Sequence, residues 1–269
     1  MDTLKTEIKE KGVFVITLNR PKVLNSLNKE IIDELLEAFD KAYEDQSIRT
    51  VVLTGEGRGF CSGADLAGGG WPSDPKWSPG ESTANAMEIG FNPLVRKIVN
   101  CPKPVVNAIN GIAAGGGVGL ALCGDLILAA DSAKFKLVFG PQLGIMSDVG
   151  ASWLVPNILG RAKANGMALL GEDISASQAE AWGLIWKVFP EKDLLDEACK
   201  LAGQMADGAI TGLKAIVKAH DNALQVSLSD QLDYERDTQR VLCDGAVFKE
   251  GVQAFLEKRK PNFRDIEEV

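Results

Sequence analysis

Three short stretches hold the residue types and spacings that could do chemistry. "GRGFCSGADL" (Gly57 to Leu66) and "NGIAAGGGVGLALCGDL" (Asn110 to Leu126) are glycine-rich turns, and "GIMSDVGASWLVP" (Gly144 to Pro156) sets one carboxylate, Asp148, among small and apolar neighbours. Each glycine turn follows an apolar run of strand length, "TVVLTG" or "PVVNAI", and leads towards a helix. At such junctions the first backbone N–H groups lack partners, point one way and can hold an anion. Neither turn has G-x-G-x-x-G or G-x-x-x-x-G-K spacing, so the dinucleotide and P-loop readings lack their signature. Two such turns converging in a dry pocket would form an oxyanion hole from backbone alone, which suits chemistry through an enolate. Removing one such donor typically costs about 2.7–4 kcal/mol. Glycine is also chosen for tight strand–helix packing, and that alternative stands beside the first. Asp148 likewise has two readings. Its carboxylate could cap a short helix over "VGASWLV" that Pro156 bends or stops, or it could move a proton.

The elements that would position these residues read as an alternation of strands and helices. "LKTEIKEKGVFVITLNR" has the period-two pattern of two short strands around a Lys-Gly turn. From Asn28, a predicted N-cap, "KEIIDELLEAFDKAYED" places Ile31, Ile32, Leu35, Leu36 and Phe39 on one helical stripe. "RTVVLTGEG" and "KPVVNAINGIAAGGG" read as buried strands of a mainly parallel sheet. Residues Gly68 to Gly80, "GGGWPSDPKWSPG", form a long loop whose Trp71 and Trp77 either line an apolar pocket or pack the loop down. Beyond about residue 191 the chain becomes mostly helical, in "EKDLLDEACKLAGQMADG", "LSDQLDYERDTQRVLCDG" and "VFKEGVQAFLEKRK". The predicted division is therefore an α/β core over residues 1–190 and a helical region over 191–269.

Composition narrows the function classes. The 269 residues contain 45% hydrophobic side chains and carry a formal net charge of −8, with both signs interleaved. Such a surface has no general attraction for nucleic acid or an anionic membrane. The charged start "MDTLKTEIKEKG" and the absence of a long apolar run predict neither a signal peptide nor a membrane span, and a cytoplasmic location. Cys61, Cys101, Cys123, Cys199 and Cys243 are odd in number and far apart, which suits reduced thiols and offers no zinc spacing. The one histidine, His220 in "LKAIVKAHDNAL", reads as a surface or interface residue, so any chemistry falls to carboxylates and backbone.

"RPKVLNSLN" (Arg20 to Asn28), "GFCSGADL", "AINGIAAGGGVGLALCGDLILAADSAKF" (Ala108 to Phe135), "LLGEDISASQAEAWGLIWKVFP" (Leu169 to Pro190) and "EGVQAFLEKRKPNF" together resemble the enoyl-CoA hydratase/isomerase, or crotonase, superfamily over nearly the whole chain. The resemblance implies a spiral of repeated ββα units with a C-terminal helical trimerisation region, and a homotrimer or a hexamer built as a dimer of trimers. It implies an acyl-CoA substrate and no metal or redox cofactor. It assigns an oxyanion hole to the N–H groups of Ala64 and Gly116. The coenzyme A portion falls to Lys22, Val23 and Leu24 of "RPKVL" and to Ser62, Asp65 and Leu66 of "SGADL", with Lys22 a candidate phosphate contact.

Members share the thioester hole and vary the acid–base groups. Hydratases of the family carry one glutamate just after the GGG turn and a second about twenty residues later. Here the first position is Gly119 and the second falls in "KLVFGPQ", which has no acid. Asp148 falls where dienoyl-CoA isomerases and the ring-opening isomerases of phenylacetate breakdown place a catalytic aspartate, and the surrounding segment most resembles the latter. The resemblance therefore implies an acyl-CoA isomerase with Asp148 as base, its pKa raised by burial among Ile145, Met146 and Val149. The rivals are a hydratase using Asp148 and water, and a non-catalytic acyl-CoA-binding or scaffold protein.

Overall fold

The computed structural model describes residues 3–67 and 69–267; Gly68, at the start of the long loop, lies outside the described residues. The expected N-terminal hairpin forms from β1 (Leu4–Lys9) and β2 (Val13–Leu18), which pair antiparallel. Its turn is made possible by left-handed backbone at Lys11 and Gly12. A side chain at residue 12 would stand 2.2 Å from the Ser47 carbonyl oxygen, so glycine is required there.

After this hairpin a pattern recurs. A long strand ends in a tight turn, a short strand crosses to a second sheet, and a helix returns. The first such unit is β3 (Thr50–Gly55), β4 (Gly59–Cys61), α2 (Pro79–Ala86) and α3 (Asn92–Val99). The next is β5 (Val105–Ile109), β6 (Ile112–Ala114) and α4 (Gly116–Leu122). The third is β7 (Leu126–Ala130), β8 (Lys134–Lys136) and α5 (Ala151–Leu170), followed by β9 (Ile174–Ser175), α6 (Ala176–Trp182) and β10 (Lys187–Phe189). Among the described residues one sheet has the order β1-β2-β3-β5-β7-β10, parallel from β2 onwards, and a second has the order β4-β6-β8-β9. This is the repeated-unit spiral that the resemblance implied. Its central strands "TVVLTG" and "VVNAI" are buried almost end to end, as parallel strands covered on both faces must be.

Two asparagines tie successive turns of the spiral together. Asn25 Nδ2 donates to the carbonyls of Glu56 and Gly59, and Asn110 Nδ2 donates to those of Gly57 and Gly59. The Gly55 N–H donates to Asn110 Oδ1, which closes the stack. These amides give hydrogen-bond donors to carbonyls between the end of β3 and the start of β4.

The predicted cap at Asn28 is present: its side chain accepts from the Ile31 N–H, and α1 (Lys29–Glu44) buries Ile31, Ile32, Leu35 and Phe39 with Leu36 half-buried. Of the two expectations for Pro156, that it bends or that it stops the helix, stopping does not occur. The helix runs through it and breaks at Gly160, where φ is 73° and ψ is 161°. A proline removes one N–H, whereas a residue in that extended left-handed region interrupts the helical path itself.

The C-terminal region begins with α7 (Leu194–Ala206), which packs across β2, β3, β5 and β7 through Leu194, Ala198, Ala202 and Ala206. Then follow α8 (Ile210–Ala223), α9 (Leu228–Asp244) and α10 (Ala246–Glu257). A buried Lys214–Asp125 ion pair of 2.8 Å fastens α8 to the core. The Arg49–Glu267 pair, 2.9 Å and almost fully buried, fastens the end of the described chain. Between α9 and α10 lies an apolar groove of about 690 Å³ lined by residues such as Val241, Phe248, Val252, Phe255 and Phe263. No described helix is long and apolar enough to cross a membrane.

Candidate active site

The two glycine turns meet. A side chain on Gly63, whose φ is +86°, would stand 2.9 Å from the Gly116 nitrogen and 3.0 Å from the Ala114 oxygen, so the "SGA" turn lies directly against the head of α4. Glycine is needed at both contact points. A Cβ at Gly117 would meet the Cys61 carbonyl oxygen at 2.0 Å. This close approach is what the glycine-rich sequences provide, whatever chemistry follows.

Backbone accounting at this junction leaves two donors to consider. Leu27 bridges Ala64 in parallel fashion, its N–H donating to the Gly63 oxygen at 2.8 Å and its oxygen accepting from the Asp65 N–H at 2.9 Å. In a parallel bridge of that register the N–H of the central residue points away from its partner strand. Gly116 is the first residue of α4, and its N–H belongs to those that a helix cannot satisfy internally.

Asp148 lies at the same junction. Its Oδ1 is 3.2 Å from the place a Gly116 Cβ would occupy, so the carboxylate sits on the head of α4. It does not cap α5. The N-cap of that helix is Gly150, with φ at 78° and no side-chain cap, and Asp148 contributes only its main-chain oxygen, which accepts from the Ala151 N–H at 2.9 Å. Burial pushes the Asp148 carboxyl up from an ordinary 3.8 to about 6, opposed in part by its own backbone N–H. The source of that burial differs in part from the sequence expectation. Val149 is buried, but Ile145 and Met146 are 51% and 76% exposed and shield little. Both residues follow directly on Gly144, whose backbone is left-handed.

The positions at which a hydratase of the family would carry its acids are apolar or filled. A Cβ on Gly119 would lie 2.0 Å from the Val149 carbonyl oxygen. From "KLVFGPQ", the Val138 and Phe139 side chains approach Gly115, at 3.5 and 3.9 Å from its Cβ position. The backbone conformation of Val149 is a feature the sequence did not reveal. Val149 is a β-branched residue with φ at +49°, and no local signal marks such a conformation.

The segments that resemble coenzyme A contacts lie side by side. The Ser62 N–H donates to the Leu24 oxygen at 3.0 Å, and its hydroxyl donates to the Val23 oxygen at 3.2 Å. Lys22, Val23 and Leu66 are exposed on this edge, and Leu24 is half-buried with left-handed backbone. The Asp65 side chain is largely buried and held by Arg20 at 2.9 Å. Burial alone would raise its pKa, but the Arg20 guanidinium and the Ala67 N–H outweigh it and hold the carboxyl low. Arg20 also donates to the Ser26 oxygen, so this unpredicted residue ties "RPKVL" to "SGADL".

Trp71 packs its loop down, its ring 5.0 Å from that of Phe91 and seated over Gly90, while Trp77 is 38% exposed. His220 is exposed on α8. Cys61, Cys101 and Cys123 are buried free thiols, as expected.

Comparison with known proteins agrees with this architecture. The family model for enoyl-CoA hydratase/isomerase matches residues 8–266. The 1,2-epoxyphenylacetyl-CoA isomerase of Escherichia coli is 46% identical over 254 residues, covering 94% of this chain and 95% of its own. A Rhodobacter capsulatus protein that bears the name "Probable enoyl-CoA hydratase" is 41% identical over 261 residues, with 97% of each chain covered. Among solved structures, enoyl-CoA hydratase from Bacillus anthracis superposes with a TM-score of 0.88 at 30% identity, covering 97% of this chain and 99% of its own. That from Polaromonas gives 0.87 at 34%, with 96% and 98% covered. With its spiral of units, its paired glycine turns and a family match over nearly its whole length, the chain belongs to the enoyl-CoA hydratase/isomerase family.

Proposed function

We propose that this protein is an acyl-CoA isomerase that works through an enolate. The thioester carbonyl oxygen rests on the N–H groups of Ala64 and Gly116, which acidify the carbon α or γ to it. Asp148 takes a proton from that carbon, the electron pair moves onto the carbonyl oxygen, and the same carboxylic acid returns the proton elsewhere on the conjugated system. The net change is a shifted double bond; with a ring epoxide as substrate, the C–C bond shared by the two epoxide carbons opens electrocyclically to give the oxepin and the proton shuttle then moves the double bond relative to the thioester, with no atom gained or lost and no metal or redox cofactor required. Lys22, Val23, Leu24, Ser62, Asp65 and Leu66 form the edge for the coenzyme A portion.

The observation that carries this reading is the single carboxylate on the head of α4, its Oδ1 3.2 Å from the Gly116 Cβ position and its pKa near 6, in a place where the two hydratase acids have no counterpart. A base poised near the operating pH both accepts and returns a proton readily. The 46% identical E. coli isomerase supports the same reading. The 41% identical Rhodobacter relative favours a second one, hydration with Asp148 activating water. Incubation with enoyl-, dienoyl- and epoxyaryl-CoA thioesters in heavy-oxygen water separates the two. Products of unchanged mass are expected, and products that have gained labelled water would establish the hydratase.

A further inference from the structure

Helix α4 opens as Gly116-Gly117-Val118-Gly119, so one face, at residues 116 and 119, carries no side chains. Val149 fills that bare face. Its Cγ2 would lie 2.8 Å from a Gly116 Cβ, and its carbonyl oxygen 2.0 Å from a Gly119 Cβ. Val149 is only 2% exposed and has φ at +49°. A left-handed β-branched residue is strained and persists only where its surroundings hold it. Here the hold is the trough between the two glycines. The reversal of chain direction at Val149 and Gly150, whose φ is +78°, keeps the preceding residue, Asp148, facing α4.

From this packing we propose that Gly119 and Val149 are the positioning residues for Asp148: the bare face at Gly119 admits the Val149 carbonyl, and the seated Val149 fixes the carboxylate on Gly116. The inference rests on Asp148 being the proton carrier. It also implies that a side chain at 119 and this path of Val149 exclude each other. A glutamate at 119, where family hydratases carry one, could enter only by expelling the segment that carries Asp148. The choice between the two acid arrangements is then steric.

The test uses kcat, KM, the pH profile and thermal melts of Val149→Gly, Gly119→Ala and Asp148→Asn beside the parent enzyme. Glycine adopts a left-handed φ without strain, but Val149→Gly also empties a buried site and frees the unfolded chain, so the variant should fold and melt somewhat below the parent. Freed from the trough, its carboxylate should lose alignment: kcat falls by about a hundredfold, as for a misplacement near 1 Å, with KM unchanged. The midpoint of its pH profile moves below the parent's as water reaches Asp148. Gly119→Ala should show the same split; if it fails to fold, Val149→Gly decides alone. Parent-like kcat and pH midpoint in Val149→Gly, with Asp148→Asn inactive, would overturn the inference and leave the base reading standing. An active Asp148→Asn would overturn both.

Discussion

Replacing Asp148 by Asn separates chemistry from folding, because the two should move in opposite directions. An amide cannot accept the transferred proton, so turnover should fall by the roughly 10²–10⁴-fold that a positioned base contributes, while binding of the CoA thioester persists. Stability should rise. The carboxyl titrates near 3.8 when free and near 6 in the fold, so between those values the folded chain keeps a proton that the unfolded chain has released. The native state is therefore penalised progressively as pH climbs through that window, in full above about 6 and not at all below about 4. Two units at 1.36 kcal/mol each would give about 3 kcal/mol, reduced to the order of 1–2 kcal/mol because the side chain keeps some contact with water. For a chain of this size that corresponds to roughly 2–8 °C in melting temperature. The assay is a pair of melts at pH 7.5 and at pH 4, with kcat/KM of the parent followed from pH 4.5 to 8. The Asn variant should melt higher at pH 7.5 and level with the parent at pH 4. The parent's kcat/KM should rise about tenfold per unit below a midpoint near 6 and level off above it. A variant with near-parent turnover, or with a stability gain unchanged at pH 4, would refute the picture of a buried proton carrier.

Three further outcomes are expected. Ala64→Pro removes the N–H assigned to the oxyanion hole without costing a ladder bond, since Leu27 uses Gly63 and Asp65; turnover should drop by about a hundredfold or more with little change in the melt, and retained turnover would remove Ala64 from the hole. Glu267→Ala strips the buried Arg49 of its carboxylate and leaves the Ile210 and Thr211 N–H groups at the head of α8 without their acceptor, so urea titration should show a loss of about 3–5 kcal/mol; a loss under about 1 kcal/mol would count against it. The apolar groove of α9 and α10, with Phe255 82% exposed, should be covered in a homotrimer or hexamer; sedimentation should find three or six chains, and Phe255→Asp should release monomers, whereas a monomeric parent would end this proposal.

Much of this protein was legible in its sequence, for reasons that lie in short-range physics. Period-two alternation set out β1 and β2, the Asn28 side chain and the stripe from Ile31 to Phe39 set out α1, and continuous apolar runs set out β3 and β5, because each pattern depends on neighbours within a few residues. The glycine spacings around residues 63 and 116 marked two places where backbone approaches backbone. Local sequence could not say that these two places are one place. That follows from the stacking of spiral units, in which β4 and β6 pair across a separation of some fifty residues. Nor could it choose between cap and proton carrier for Asp148, since either role accepts an aspartate before a helix. The tertiary structure removed the cap reading by giving the N-cap to Gly150; it also seats Val149 against a helix face without side chains and turns the carboxylate onto Gly116, the placement that the proposed proton carrier requires. Val149 in left-handed backbone is held there by packing against distant residues, which is why no local propensity could announce it.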